Sequence, residues 1–226
     1  MAQTIRVMVT EDLALLREDF CDTVDSQPDM EIVGAAESGE KIVALVRQTD
    51  CDVILMDIEM ESARAGILAA ETIHSEKPQI HIIFLTAHET DDMITSAMGS
   101  GAVDYVVKGC ESEVLLDHIR RAYAGEPVLA PRVQQAVMQE YSRLRRSERS
   151  LIFFINSVAH LTPAEHELVK LLLDGKHVAE IAAIRCVEVV TVKTQIKGLL
   201  SKFGCSRSKE IVQMIHQMNL EHLFKN

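Results

Sequence analysis

VILMDIEMESARAG, residues 53–66, decides how the first half of this chain is read. It opens as one of the most apolar runs in the sequence, Val53 to Met56. It then ends that run on a carboxylate, Asp57, and enters a stretch with two further acids, Glu59 and Glu61, and no proline. A short continuous apolar run suits a strand buried on both faces, as the strands of a parallel sheet are. A carboxylate at the end of such a strand stands on the edge where these sheets collect ligands.

Working outward, four more runs share the character of DVILMD (52–57): IRVMV (5–9), EIVGA (31–35), IHIIFLT (80–86) and VDYVV (103–107). Helix-period segments separate them. Leu13, Leu16, Phe20 and Val24 recur at helical spacing, as do Ile42, Leu45 and Val46, and LLDHIRRAYAG closes the series on a glycine. Strands alternating with helices predict an α/β domain, a five-stranded doubly wound parallel sheet of the flavodoxin-like kind, because right-handed crossovers put a helix between successive strands.

The carboxyl ends of those strands gather Glu11 and Asp12 after the first, Asp57 on the third, Thr86 on the fourth and Lys108 after the fifth. Taken singly, each has a bland reading as a turn, cap or solvated loop residue. Taken together on one rim they form a chemical set. Clustered carboxylates resist joint ionisation unless a hard cation such as Mg²⁺ joins them. Asp57 is then placed to act as a nucleophile toward a phosphoryl group, with Thr86 and Lys108 binding phosphoryl oxygens.

These residues carry a resemblance. Residues 1 to about 125 resemble the receiver domain of two-component response regulators, through VTEDLALLRE, VILMDIEM, FLTA and DYVVKG. The resemblance implies that Asp57 is the phosphoacceptor and that Glu11, Asp12, Asp57 and the backbone carbonyl of Glu59 hold Mg²⁺. It also implies that Thr86 and Tyr105 form a switch which repacks the face of helix 4, strand 5 and helix 5. Two departures stand out. Glu11 occupies a position where Asp is commoner, and after Asp57 the usual proline is missing and the glycine, Gly66, comes one residue late. The loop is therefore expected to be more mobile than usual and to bring extra negative charge near the site.

The second half has a different charge. Net charge over 226 residues is −11, but residues 1–130 contribute −16 and residues 131–226 contribute +5. Such asymmetry points to an acidic, cation-holding domain and a basic one suited to nucleic acid. From Pro131 a linker turns helical and gathers Arg143, Arg145, Arg146 and Arg149, read as a solvated face, a phosphate contact, a contact to the acidic domain or a partner helix. LTPAEHELVKLLLDG then shows a capping box from Thr162 to Glu165 with Pro163 at the first helical position, and three more helical segments follow. In the third of the four, Val189, Val192, Ile196, Leu199, Leu200 and Phe203 form an apolar stripe, and Lys193, Thr194 and Lys197 share the opposite face.

Residues 161–220 resemble the four-helix helix-turn-helix module of the LuxR or NarL type, through LTPAEHELVKLLLDG, EIA (180–182), TVKTQI (191–196) and LLSKFG (199–204). On that match Lys193, Thr194 and Lys197 fall on base-contacting positions. Gln195 stands where His is usual, and Glu188, Val189 and Val190 replace a Ser cap and polar residues. The expected organisation is a receiver at 1–127, a helical linker at 128–158 and an all-α DNA-binding domain at 159–226. The resemblance implies a sensor histidine kinase and double-stranded DNA as partners, and a homodimer promoted by phosphorylation through the receiver.

Composition adds bounds. With 47% hydrophobic and 25% charged residues, and no apolar run near the roughly 20 residues of a span, a soluble protein is expected. An N-terminus without a leader pattern makes it cytoplasmic in expectation. Five scattered cysteines without a CxxC pair read as reduced thiols, and nine histidines without HExxH spacing indicate no transition-metal site. No enzyme is expected. The rival readings are an aspartyl-nucleophile phosphohydrolase using Glu59, and a receiver whose altered C-terminal module binds a protein.

Overall fold

The computed structural model describes residues 4–87 and 89–224; the first three residues, read above for a leader, lie outside it. The chain forms two compact units, one ending at Tyr141 and one beginning at Ser142.

In the first unit the elements alternate as β1 (Ile5–Thr10), α1 (Ala14–Asp25), β2 (Met30–Ala36), α2 (Gly39–Gln48), β3 (Val53–Asp57), α3 (Ala65–Glu76), β4 (His81–Thr86), α4 (Asp91–Gly99), β5 (Asp104–Val107) and α5 (Ser112–Tyr123). All pairings are parallel and the order is β2-β1-β3-β4-β5. The five expected strands thus form the expected doubly wound sheet, with β3 in its middle.

The apolar run from Val53 to Met56 is divided by the pleat, since successive side chains point to opposite faces. Ile54 and Met56 join Met8, Ile82 and Phe84 under α2, α3 and α4, through Ile42, Val46, Ile67, Ile73 and Ile94. Val53 and Leu55 join Val7, Val9, Ile83 and Leu85 under α1 and α5, through Val24, Leu115 and Ile119. Val53, Ile54, Leu55 and Met56 are all fully buried, and each such side chain stabilises the fold by about 1.5–3 kcal/mol relative to exposure. Asp57, next along, follows the alternation but leaves the sheet at its carboxyl edge.

One helical stripe starts later than expected. Leu13 is the residue preceding α1, with an extended backbone, and is 58% exposed; there the chain has not yet entered the helical path that turns Val24 into the core.

A long helix, α6 (Pro131–Ala159), follows, with proline at its first position, where the missing N–H has no partner to lose. Val133 and Ala136 belong to the first core and Phe154 to the second. The second unit adds α7 (Pro163–Leu173), α8 (Val178–Ile184), α9 (Val189–Phe203) and α10 (Ser208–Gln217), the four expected helices. The capping box is present: Glu165 N–H donates to Thr162 Oγ1 at 3.3 Å, and Thr162 N–H donates to the Glu165 carboxylate at 2.8 Å. A short 3₁₀ turn, Glu221–Phe224, was not foreseen; it buries Phe224 against the His166 ring at 4.6 Å. Within the stripe of α9, Val192, Leu199 and Phe203 are buried and Ile196 and Leu200 pack beside them, but Val189 is 41% exposed. It stands at the first helical position, before the helix has turned onto the core.

Candidate functional site

The sheet's carboxyl edge brings together four of the predicted residues. Glu11, fully buried just after β1, Asp12, exposed, and Asp57, buried at the end of β3, place carboxylate oxygens within 4.8 Å of one another. Lys108, one residue past β5, closes the group. Its Nζ is 2.7 Å from Asp57 Oδ2 and 2.7 Å from Glu11 Oε2. The position of Lys108 is fixed by its own backbone, whose N–H donates to the Thr86 carbonyl at 2.7 Å.

The electrostatics follow from this packing. Burial pushes the Asp57 carboxyl above the usual carboxylate range while hydrogen bonding to Lys108 opposes the shift. Glu11 is raised for the same first reason, with Lys108 opposing and the Asp57 charge adding to the rise. For Lys108, burial disfavours the charge, but the bonds to Asp57 and Glu11 outweigh it and its pKa is raised. The ammonium is therefore the counter-charge that lets two buried carboxylates coexist.

Thr86 and Tyr105 also come together. Both are 2% exposed, and the phenol is hydrogen-bonded to the Thr86 side chain; burial raises the Tyr105 pKa and that bond opposes it. Glu59 is arranged differently. Its side chain is exposed and its N–H points to Asp57 Oδ1 at 3.4 Å, so its carboxylate is not among the acids that converge.

The loop after Asp57 departs from its expectation. Glu61 turns toward α2, where both carboxylate oxygens accept from Gly39 N–H at 3.0 and 3.2 Å. A carboxylate there satisfies an orphan donor and complements the helix dipole, so the charge expected near Asp57 serves the start of α2. The loop is further tied by Gly66 N–H donating to the Ile58 carbonyl at 3.1 Å and Met60 N–H to the Ser62 carbonyl at 3.2 Å. Gly66 is required by close approach: a Cβ there would lie 1.9 Å from the Asp57 carbonyl oxygen.

Two supports were missed by sequence reasoning. Arg17, one turn into α1, donates to the Glu11 carbonyl at 2.6 Å and so holds the acidic turn. Asp104, fully buried, accepts from Tyr105 N–H at 2.8 Å and meets His118 Nδ1 at 2.5 Å, stapling β5 to α5 beside the switch pair. An isolated Arg on a helix carried no signal. The i-to-i+14 spacing of Asp104 and His118 became meaningful only with the fold.

In the second unit, Lys193, Thr194 and Lys197 are all exposed on α9. Thr194 Oγ1 donates to the Val190 carbonyl at 3.0 Å. Among the described residues neither lysine is in an ion pair. Gln195, the departure from the usual His, faces inward, where Arg185 donates to it at 2.8 Å and lies 3.2 Å from Glu167, tying α7, α8 and α9 together.

The family model of the response regulator receiver domain matches residues 7–120. The chain belongs to this family. Along almost its whole length, it is 34% identical over 218 residues to the transcriptional regulatory protein LiaR of Bacillus subtilis, covering 96% of this chain and 99% of that one. Among solved structures, it is similar to a LuxR-family two-component response regulator from Aurantimonas at 25% identity and TM-score 0.56, over 62% of this chain and 99% of the other. The response regulator ChrA of a heme-sensing two-component system matches at 26% identity and TM-score 0.51, over 96% of this chain and 98% of that one.

The donor set of the rim is all hard oxygen, which fits a cation of the Mg²⁺ kind and not a soft transition metal. No helix among the described residues is long and apolar enough to cross a membrane.

Proposed function

We propose that this chain is a cytoplasmic transcriptional regulator that accepts a phosphoryl group on Asp57 from a partner histidine kinase and binds double-stranded DNA through α9. The observation that carries the reading is Lys108 held 2.7 Å from both Asp57 and Glu11. Asp57 Oδ attacks phosphorus as the bond to the donor's imidazole nitrogen breaks, and Lys108 and the Thr86 hydroxyl take up phosphoryl oxygens. Glu11, Asp12, Asp57 and the Glu59 carbonyl are the groups to hold Mg²⁺, which when bound screens the acids and steadies the incoming phosphoryl charge. Because Thr86 already bonds Tyr105, a phosphoryl oxygen that draws Thr86 also moves the ring, and the face of α4, β5 and α5 repacks.

The same reading assigns the receiver to residues 1–127, the helical linker to 128–158 and the DNA-binding module to 159–226, acting as a phosphorylation-promoted homodimer. Lys193, Thr194 and Lys197 enter the major groove, the lysines toward phosphates or guanine edges. Support comes from their shared exposed face and from likeness to a transcriptional regulator along almost the whole chain. The phosphohydrolase reading loses its second acid, because the Glu59 carboxylate does not converge on Asp57.

The test is selection of DNA from a random pool with and without a small phosphodonor, for wild type and Asp57→Asn. Enrichment of a two-fold site by the phosphorylated wild type, weakened in Asp57→Asn, is expected. Absence of DNA binding at any salt concentration would favour the module as a protein-binding one.

A further inference from the structure

The outward face of α9 carries an apolar side chain that the packing of the second unit does not use. Val192, Leu199 and Phe203 turn into the core. At about 100° per residue, Val190, Lys193, Thr194 and Lys197 share an arc on the opposite side, and all four are exposed. Val190, at 69%, is the most exposed large apolar side chain among the described residues of the second unit. It stands where the LuxR or NarL type of module usually has a polar residue. A β-branched residue lowers helix propensity, and here it gains no contact with the core in return.

Thr194, one turn on, is its neighbour on the helix surface. The Thr194 hydroxyl donates its hydrogen to the Val190 carbonyl at 3.0 Å, so this side chain has no proton to offer a base. What it adds to the outward face is a methyl group and an oxygen that accepts. Charge around the two residues names their occupant. No acidic residue occurs in α9. Of its three lysines, Lys202 is paired with Glu165 at 2.7 Å on another side of the helix, whereas Lys193 and Lys197 are in no ion pair among the described residues. A protein surface laid on this face would have to supply acids to both lysines around an apolar centre. The major groove has that pattern built in: phosphates along its rims and, among the base edges of its floor, the C5 methyl group of thymine.

We propose that Val190, together with the methyl group of Thr194, reads thymine through its C5 methyl group, a specificity contact that rests on the DNA-binding reading of α9 and is additional to its lysines. The contact works by excluding water from between apolar groups and needs no hydrogen bond. Lys193 and Lys197 hold the helix in the groove, and the apolar pair discriminates. Cytosine presents an N4 amino group in the major groove and no methyl, so the valine would cover a donor and leave it without a partner.

The experiment is equilibrium titration of the full chain, with phosphodonor, on its selected DNA site, each thymine being replaced in turn by deoxyuridine, which pairs alike but lacks the C5 methyl. Wild type is expected to bind about threefold or more weakly when one particular thymine of each half-site is replaced. In Val190→Ser with Thr194→Ser, folded by far-UV circular dichroism, that difference should shrink to less than about 1.5-fold, while discrimination at the other base pairs persists. Thr194→Val, which keeps the methyl and loses the hydroxyl, should retain the preference. Deoxyuridine bound as tightly as thymine at every position, or a selected site without thymine, overturns the inference and leaves the DNA-binding reading standing. So does a preference that survives the double serine variant, is lost in Thr194→Val, or disappears together with discrimination at every other base pair. A wild type that binds no DNA at any salt concentration overturns the inference and the reading beneath it together.

Discussion

Lys108 Nζ lies 2.7 Å from Asp57 Oδ2, reaching across from the residue after β5 to the last residue of β3. The nucleophile and its counter-ion are therefore carried by strands on either side of β4.

Removing that ammonium leaves two buried carboxylates facing each other. Lys108→Ala is expected to lower stability in metal-free buffer by about 1–3 kcal/mol and to slow acceptance of phosphoryl from a small phosphodonor by about tenfold or more. Urea denaturation and a timed phosphorylation assay read the two effects separately.

Two glycines should behave in opposite ways. Gly66→Ala puts a Cβ 1.9 Å from the Asp57 carbonyl oxygen and should cost more than about 3 kcal/mol or prevent folding, since backbone on backbone cannot give way. Gly198→Ala, on exposed α9 with nothing within 4 Å of the added carbon, should stabilise by about 0.5–1 kcal/mol. Thermal melts of both variants decide the matter.

The His118–Asp104 pair makes stability depend on pH. Hydrogen bonding to Asp104 raises the His118 pKa above its ordinary value, against burial, which lowers it. A raised histidine contributes fully below the unfolded value of about 6.5 and loses that contribution as pH rises through the folded value. Stability in urea should therefore fall across that window in wild type, and His118→Asn should flatten the fall. An equal slope in both proteins would remove the pair as its cause.

Lysines on α9 should show in the salt dependence. If Lys193 or Lys197 meets a phosphate, its replacement by Ala lowers the slope of log affinity against log salt by about 0.9. If it meets a guanine edge, about 1–3 kcal/mol of discrimination is lost at one base pair. Titrations on the selected site at several salt concentrations separate the two.

The sheet was legible because β1, β3 and β4 are buried on both faces over nearly their whole length and so declare themselves as apolar runs. The rim was legible because Glu11, Asp12, Asp57, Thr86 and Lys108 are each pinned to a strand end. What escaped was set by side-chain direction. Glu61 reads as one more acid beside Asp57, yet it caps α2 across 22 residues of sequence. Leu13 and Val189 fit helical periods but stand at helix starts, where the period has not begun. Gln195 reads only as a departure from the usual His, yet it accepts from Arg185 and so ties the end of α8 to α9.

The central claim is that Asp57 receives the phosphoryl group. Intact-mass spectrometry of the full chain incubated with Mg²⁺ and a small phosphodonor, followed by peptide mapping, tests it most directly. One acid-stable, base-labile phosphoryl adduct on the peptide containing Asp57, absent from Asp57→Asn, is the predicted result. An equal adduct on Asp57→Asn, or one mapped to another residue, would contradict the account.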